Sequence, residues 1–213
     1  MKVTPFEAEL YQKLGSFFAE RGFMLLLGKK QFRKVTDLGF QNVIFSASDY
    51  NGEVWLEVNF GLRHERIEQI AQQFLGNSEE YRADANTLVV SIGKFNDAKY
   101  FRYKIVDNTD IEDTCDEIKA FFENTGFNFL NEKERLKELH QLFNEKPLQS
   151  CKYLYNQIHR CFKGTVAARL SNSDDFLKLA DQYRNNLVRL GASGEELLSF
   201  EKMLSFLLYQ SVN

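Results

Sequence analysis

From Val54 to Arg63 the sequence alternates without a break. Val54, Leu56, Val58, Phe60 and Leu62 fall on one side of an extended chain, and Trp55, Glu57, Asn59, Gly61 and Arg63 fall on the other. A period of two predicts a strand with one buried face and one wetter face, the pattern of antiparallel sheet. Just before it, Tyr50-Asn51-Gly52 supplies residues that tolerate the positive φ angles of a tight hairpin turn. Phe40–Asp49, rich in β-formers, is the partner strand. Such a hairpin needs something apolar on its buried face, and the rest of the chain has to provide it.

Upstream, the spacing of Phe6, Leu10, Leu14, Phe17 and Phe18 predicts a helix over Thr4–Arg21 with one apolar stripe. Thr4 with Glu7 forms a capping box, Pro5 suits the first helical position, and Gly22 closes the helix. Short strands follow at Met24–Leu27 and Lys30–Thr36. Downstream, a helix is expected over His64–Leu75 with Gly76 as its stop, then strands at Thr87–Ile92 and Tyr100–Val106. From Asp107 on, only helices are expected, at Asp110–Asn124, Glu132–Asn144, Pro147–Phe162, Asp174–Arg189 and Gly194–Gln210. Their stops are placed near Gly126, Gly164 and Gly191. The fold class is therefore α+β, an antiparallel meander flanked by helices with an all-helical C-terminal section. The domains are read as residues 1–126 and 127–213, with the second able to pack on the first as one unit.

The helix, the Glu20-Arg21-Gly22-Phe23 corner, the Phe32-Arg33-Lys34 strand and the Val54–Phe60 strand resemble a family of bacterial domains of unknown function. In that family a helix, Gly-Phe, an antiparallel meander and another helix follow in that order. The resemblance covers residues 4–75. It implies the fold of that segment, and it brings no activity or catalytic residues with it.

Charge narrows the range of partners. The net charge is −3, with +1 over residues 1–106 and −4 over residues 107–213, so neither half attracts polyanions at long range. The N-terminus lacks the apolar run of a signal peptide, and the longest apolar run, Phe23–Leu27, is too short for a bilayer. Three unevenly spaced cysteines are no disulfide framework, and a reducing cytoplasm is the expected compartment.

Candidate chemistry is sparse. His64, between Arg63 and Glu65-Arg66, stands at a strand-to-helix junction where a base or an anion site is conceivable, yet solvated polarity at a helix start is the plainer account. Cys115, Cys151 and Cys161 lack the close ligand pairs of zinc sites and fit helical apolar stripes instead. Asp107, Asp110, Glu112 and Asp113 lack the calcium-loop pattern and suit a helix N-terminus. Phosphate-binding glycine loops and the nucleophile elbow are absent. No catalytic residue, metal site or cofactor is assigned. Basic and aromatic residues interleave at Lys29–Lys34 and Lys99–Lys104, a pattern used on nucleic acids, although edge-strand polarity explains it as well.

The reading these residues favour is a non-enzymatic bacterial protein-interaction or binding module, with another protein as partner and no membrane. Its surface is placed at Trp55, Glu57, Asn59, Arg63 and His64, because Trp and Arg dominate interface hot spots. A hydrolase-like enzyme with a site near His64 is the alternative, and a nucleic-acid-binding protein ranks behind it.

Overall fold

The computed structural model describes residues 4–209. The chain divides into two compact units, one made of Met1–Leu62 and Val89–Asn131, the other of Arg63–Leu88 and Glu132–Asn213. This differs from a single break at residue 126, because residues 63–88 belong with the C-terminal helices.

In the first unit, helix α1 (Pro5–Ala19) opens on the expected capping box: Glu7 N donates to Thr4 Oγ1, and Thr4 N donates to Glu7 Oε2. It ends at Gly22, whose φ of +82° lets Phe23 N reach Phe18 O while Gly22 N reaches Ala19 O. Strands β1 (Met24–Leu26), β2 (Gln31–Thr36), β3 (Gly39–Tyr50) and β4 (Glu53–His64) form the meander. β1 and β2 pair antiparallel, as do β2 and β3. Asn51 and Gly52, both at positive φ, turn the β3–β4 hairpin. Strand β5 (Leu88–Ser91) lies beyond β4 in the sheet, and β6 (Tyr103–Ile105) also pairs with β4.

The alternation of β4 is realised from Trp55 to Phe60, while Val54 is half-buried and Gly61 and Arg63, read as outward, are buried. Leu56, Phe60 and Leu62 are fully buried and Val58 nearly so, whereas Trp55, Glu57 and Asn59 are half-buried. The buried face meets aromatic rings. Phe60 packs edge-on to Phe121, Phe122 and Phe129, and Phe18 stacks on Phe32 with centroids 4.7 Å apart. Much of the high phenylalanine content goes into this core, and six of the 20 rings lie in the second unit.

The rings on Phe121, Phe122 and Phe127 come from a helix that overruns its expected stop. Helix α5 (Asn108–Phe121) passes through a π-helical turn (Phe122–Gly126) straight into α6 (Phe127–Lys133). Gly126 is there for space, because a Cβ on it would lie 2.5 Å from Phe122 Cδ1 and 3.1 Å from Phe121 Cε1. Overpacking by Gly126→Ala costs about 1–3 kcal/mol against the roughly 1 kcal/mol that Ala adds in a helix, so a net loss of up to about 2 kcal/mol is expected. A urea midpoint shifted down at constant m-value is the expected result. A midpoint that rises would show that the rings yield without cost.

At the start of α5, Asp107 accepts from Thr109 N and Asp110 N while Asp110 accepts from Val106 N. The acids therefore cap the helix, one turn earlier than the expected Asp110 start.

In the second unit, α2 (Glu65–Ala71) ends before Gly76, and a further short helix, α3 (Glu79–Asp84), follows it. A single helical turn, α4 (Ile92–Phe95), comes after β5 in the first unit. Helix α7 (Leu136–Asn144) is shorter than expected, and residues 147–156 are turns rather than helix. The side chain of Gln157 holds those turns, bonding Cys151 N, Cys151 O and Leu154 O. Asn156 then caps α8 (Gln157–Leu170), which runs on through Gly164. Gly164 is another close-contact glycine: a Cβ there would meet Tyr183 Oη at 2.6 Å. Helices α9 (Phe176–Arg189) and α10 (Gly194–Tyr209) complete the unit, and the expected end at Gln210 lies outside the described residues. Gly191, with φ of +75°, is a true stop. Cys115, Cys151 and Cys161 are buried and form no disulfide, in keeping with the small-hydrophobe role expected of them, and Cys161 Sγ donates to Gln157 O at 3.3 Å.

Candidate functional site

The five residues singled out on β4 part company. Trp55, Glu57 and Asn59 stay together on the outer face of the first unit's sheet. Opposite Trp55 on β6 is Lys104, whose Nζ lies 5.9 Å from the indole centroid and 2.7 Å from Glu53 Oε1. The result is an aromatic plate fringed by a carboxylate, an ion pair and an amide, half open to water.

Arg63 and His64 are not on that surface; both are buried in the second unit, at 7% and 3% exposure. The guanidinium of Arg63 is held by Glu65 in two bonds, at 2.7 and 3.2 Å, and donates to Arg82 O and Ala85 O at the end of α3. It therefore does the work of a helix C-cap. His64 gives its backbone N–H to Thr87 Oγ1 at 2.8 Å, and its Nδ1 is buried with no hydrogen-bond partner among the described residues. Burial pushes the imidazole below the ordinary histidine value, and the charge of Arg66 acts in the same direction.

Beside His64 lies a cluster that the sequence did not announce. Glu68, fully buried, pairs with Lys163 at 2.9 Å, accepts from Thr87 Oγ1 at 2.8 Å and accepts from Gln72 Nε2 at 2.7 Å. Lys163 also donates to Asn86 O, and Asn77 donates to Gln72. An isolated buried charge is expensive, so each ion here is surrounded by fixed partners. These groups have the chemistry of a general base and an electrophile, but their bonds are spent on one another. The arrangement ties α2, α8 and the residues before β5 into one register.

A second buried cation, one turn before Lys163, organises the start of α8. Arg160 donates to the carbonyls of Phe143 and Lys146, and also to that of Gln149. Tyr183 Oη donates to the same Phe143 carbonyl at 2.8 Å and lies 2.7 Å from Asn144 Oδ1. Burial pushes the Tyr183 phenol well above its ordinary value, so it stays a donor throughout the neutral range.

Three basic residues of the basic–aromatic segments are likewise committed within the unit, while Lys99–Arg102 is exposed. Lys30 pairs with Glu7 at 2.5 Å, Arg33 lies 3.8 Å over the Phe40 ring and donates to Asn42, and Lys104 pairs with Glu53. Among the described residues no three of His, Cys, Asp and Glu come together as metal ligands, and no helix is long and apolar enough to cross a membrane.

Fold and site together define an α+β protein whose helices fill out the C-terminal half. Comparison with family models, with curated proteins and with solved structures finds no match to this chain.

Proposed function

We propose that this chain is a non-enzymatic protein-interaction module of the bacterial cytoplasm, and that it binds its partner with the outer sheet face at Trp55, Glu57 and Asn59. The observation that carries this is the half-open indole, framed by charges of both signs. Tryptophan at the centre of a polar rim is the usual composition of an interface hot spot. The carboxylates of Glu53 and Glu57 on the same face oppose a phosphate backbone, which favours protein over nucleic acid. Three buried thiols without a disulfide suit a reducing compartment, and the resemblance of residues 4–75 supports a bacterial source.

The test places a photo-crosslinking residue at Glu57 or, as a control, at the exposed Asp116, in the host cell. A discrete protein adduct is expected from position 57 alone. Trp55→Ala should remove it and weaken the isolated complex by about 2 kcal/mol or more, roughly thirty-fold. The same adducts from both positions, or an adduct indifferent to Trp55→Ala, would overturn the proposal.

A further inference from the structure

The second unit contains a cleft of about 610 Å³ between the turn after α2, Arg82 of α3, α8 and the start of α10. That volume falls within the range of roughly 300–1,000 Å³ typical of small-molecule sites. Its apolar contact surface is the ring of Phe74, half-buried against Phe206 with centroids 5.6 Å apart; Leu75 and Phe162, the latter against Phe200 at 5.3 Å, are buried beneath it. The polar lining is of mixed sign. Arg82 uses Nε on Asn77 O, and its two terminal nitrogens have no partner among the described residues. The imidazole of His159 and the carboxylate of Glu195 have no hydrogen-bond partner there either. Glu196 has one oxygen on Ser193 N, in the capping box of α10. Burial holds His159 below the ordinary histidine value, with Lys163 acting in the same direction, so it presents a neutral ring.

Elsewhere in this unit the buried charged groups are saturated by fixed partners, as Glu68, Lys163, Arg63 and Arg160 all show. In the cleft a cationic, an anionic and a neutral hydrogen-bonding group stand uncommitted beside the Phe74 ring. We infer that it binds a small zwitterion with an apolar body, of dipeptide size. The ligand carboxylate meets the terminal nitrogens of Arg82, its ammonium meets Glu195, and its apolar body lies on Phe74. Arginine suits the planar carboxylate, and charge-assisted bonds of this kind are the strong ones.

The experiment is calorimetric titration of the full chain with L-leucyl-L-phenylalanine, its N-acetyl derivative and its C-terminal amide. Saturable binding of the free dipeptide is expected, about ten-fold weaker once either charge is removed, as loss of one charged hydrogen bond implies. Glu195→Gln should weaken the free dipeptide and the amide but leave the N-acetyl form unchanged. Arg82→Gln should weaken the free dipeptide and the N-acetyl form but leave the amide unchanged. Glu195 is exposed and unpartnered, so its variant folds even if the Arg82 variant does not. Absence of saturation with all three probes up to about 10 mM, far weaker than ordinary small-ligand affinities, would overturn the inference. So would equal binding of the three, or variants that do not tell them apart.

Discussion

Lys163→Met lowers the unfolding free energy by about 3–5 kcal/mol, the cost of leaving one member of a buried ion pair without its countercharge. Glu68 is fully buried, and Lys163 supplies both its only ion-pair contact among the described residues and a bond to Asn86 O. Removing the ammonium leaves the buried carboxylate without its countercharge and takes one donor from that carbonyl. The double variant Glu68→Met with Lys163→Met should recover most of the loss, since an apolar pair of similar volume often equals or exceeds a buried ion pair in stability. Recovery will be incomplete, because Thr87 and Gln72 lose the carboxylate they both bond. Denaturant unfolding of the two singles and the double closes the cycle, and additive single losses would show that the pair is not coupled.

Arg160→Met is the second large effect, about 2–3 kcal/mol. Here no carboxylate is involved. The guanidinium, 2% exposed, is the donor for three backbone carbonyls at and beyond the end of α7. The buried Phe143 carbonyl keeps Tyr183 as a donor, and the part-buried carbonyls of Lys146 and Gln149 each cost toward the lower end of about 1–3 kcal/mol when they lose theirs. Arg160→Lys should restore little, because an ammonium is a point donor and the three acceptors are spread around a planar fork. Hydrogen exchange should show the loss first in residues 143–157, where Arg160 and Gln157 hold the turns. A Lys variant as stable as the parent would refute the role of the fork.

These two residues also show where the sequence is opaque. In β4 the period of two and the hairpin turn act locally, so Leu56, Val58, Phe60 and Leu62 could be placed inward from spacing alone. At Arg63 the same period points to the wet face, yet its guanidinium is captured by Arg82 O and Ala85 O, carbonyls of a short helix that carries no periodic signal. Glu68 and Lys163 interrupt apolar helical runs. A charge in such a run reads as a solvated position until its partner, far along the chain, is known. The clue was there in part, because Glu68 follows Ile67 and precedes Ile70 and Ala71, all buried. Glycine misled for a related reason. Gly22 and Gly191 end helices at positive φ, while Gly126 and Gly164 admit neighbouring side chains inside continuing helices. One residue type serves both purposes, and only the tertiary neighbours tell them apart. The Trp55, Glu57 and Asn59 part of the predicted surface was legible because alternation sets the face of a strand. The cleft was not, because its walls come from four separate stretches of chain.

The discontinuity of the two units has a consequence for synthesis. Residues 63–88 leave the ribosome before the helices that bury them. Lys163 follows Asn86 by 77 residues. At roughly 5–20 residues per second, that is an interval of about 4–15 seconds. Throughout it, Glu68 and its apolar neighbours have no helix α8 to pack against. The nascent chain therefore carries an unfinished insert while the strands on either side of it close into a sheet. Stop codons placed after residue 131 would yield a fragment with one unit complete and a 26-residue loop in search of its partner, and that loop is where a chaperone would hold it.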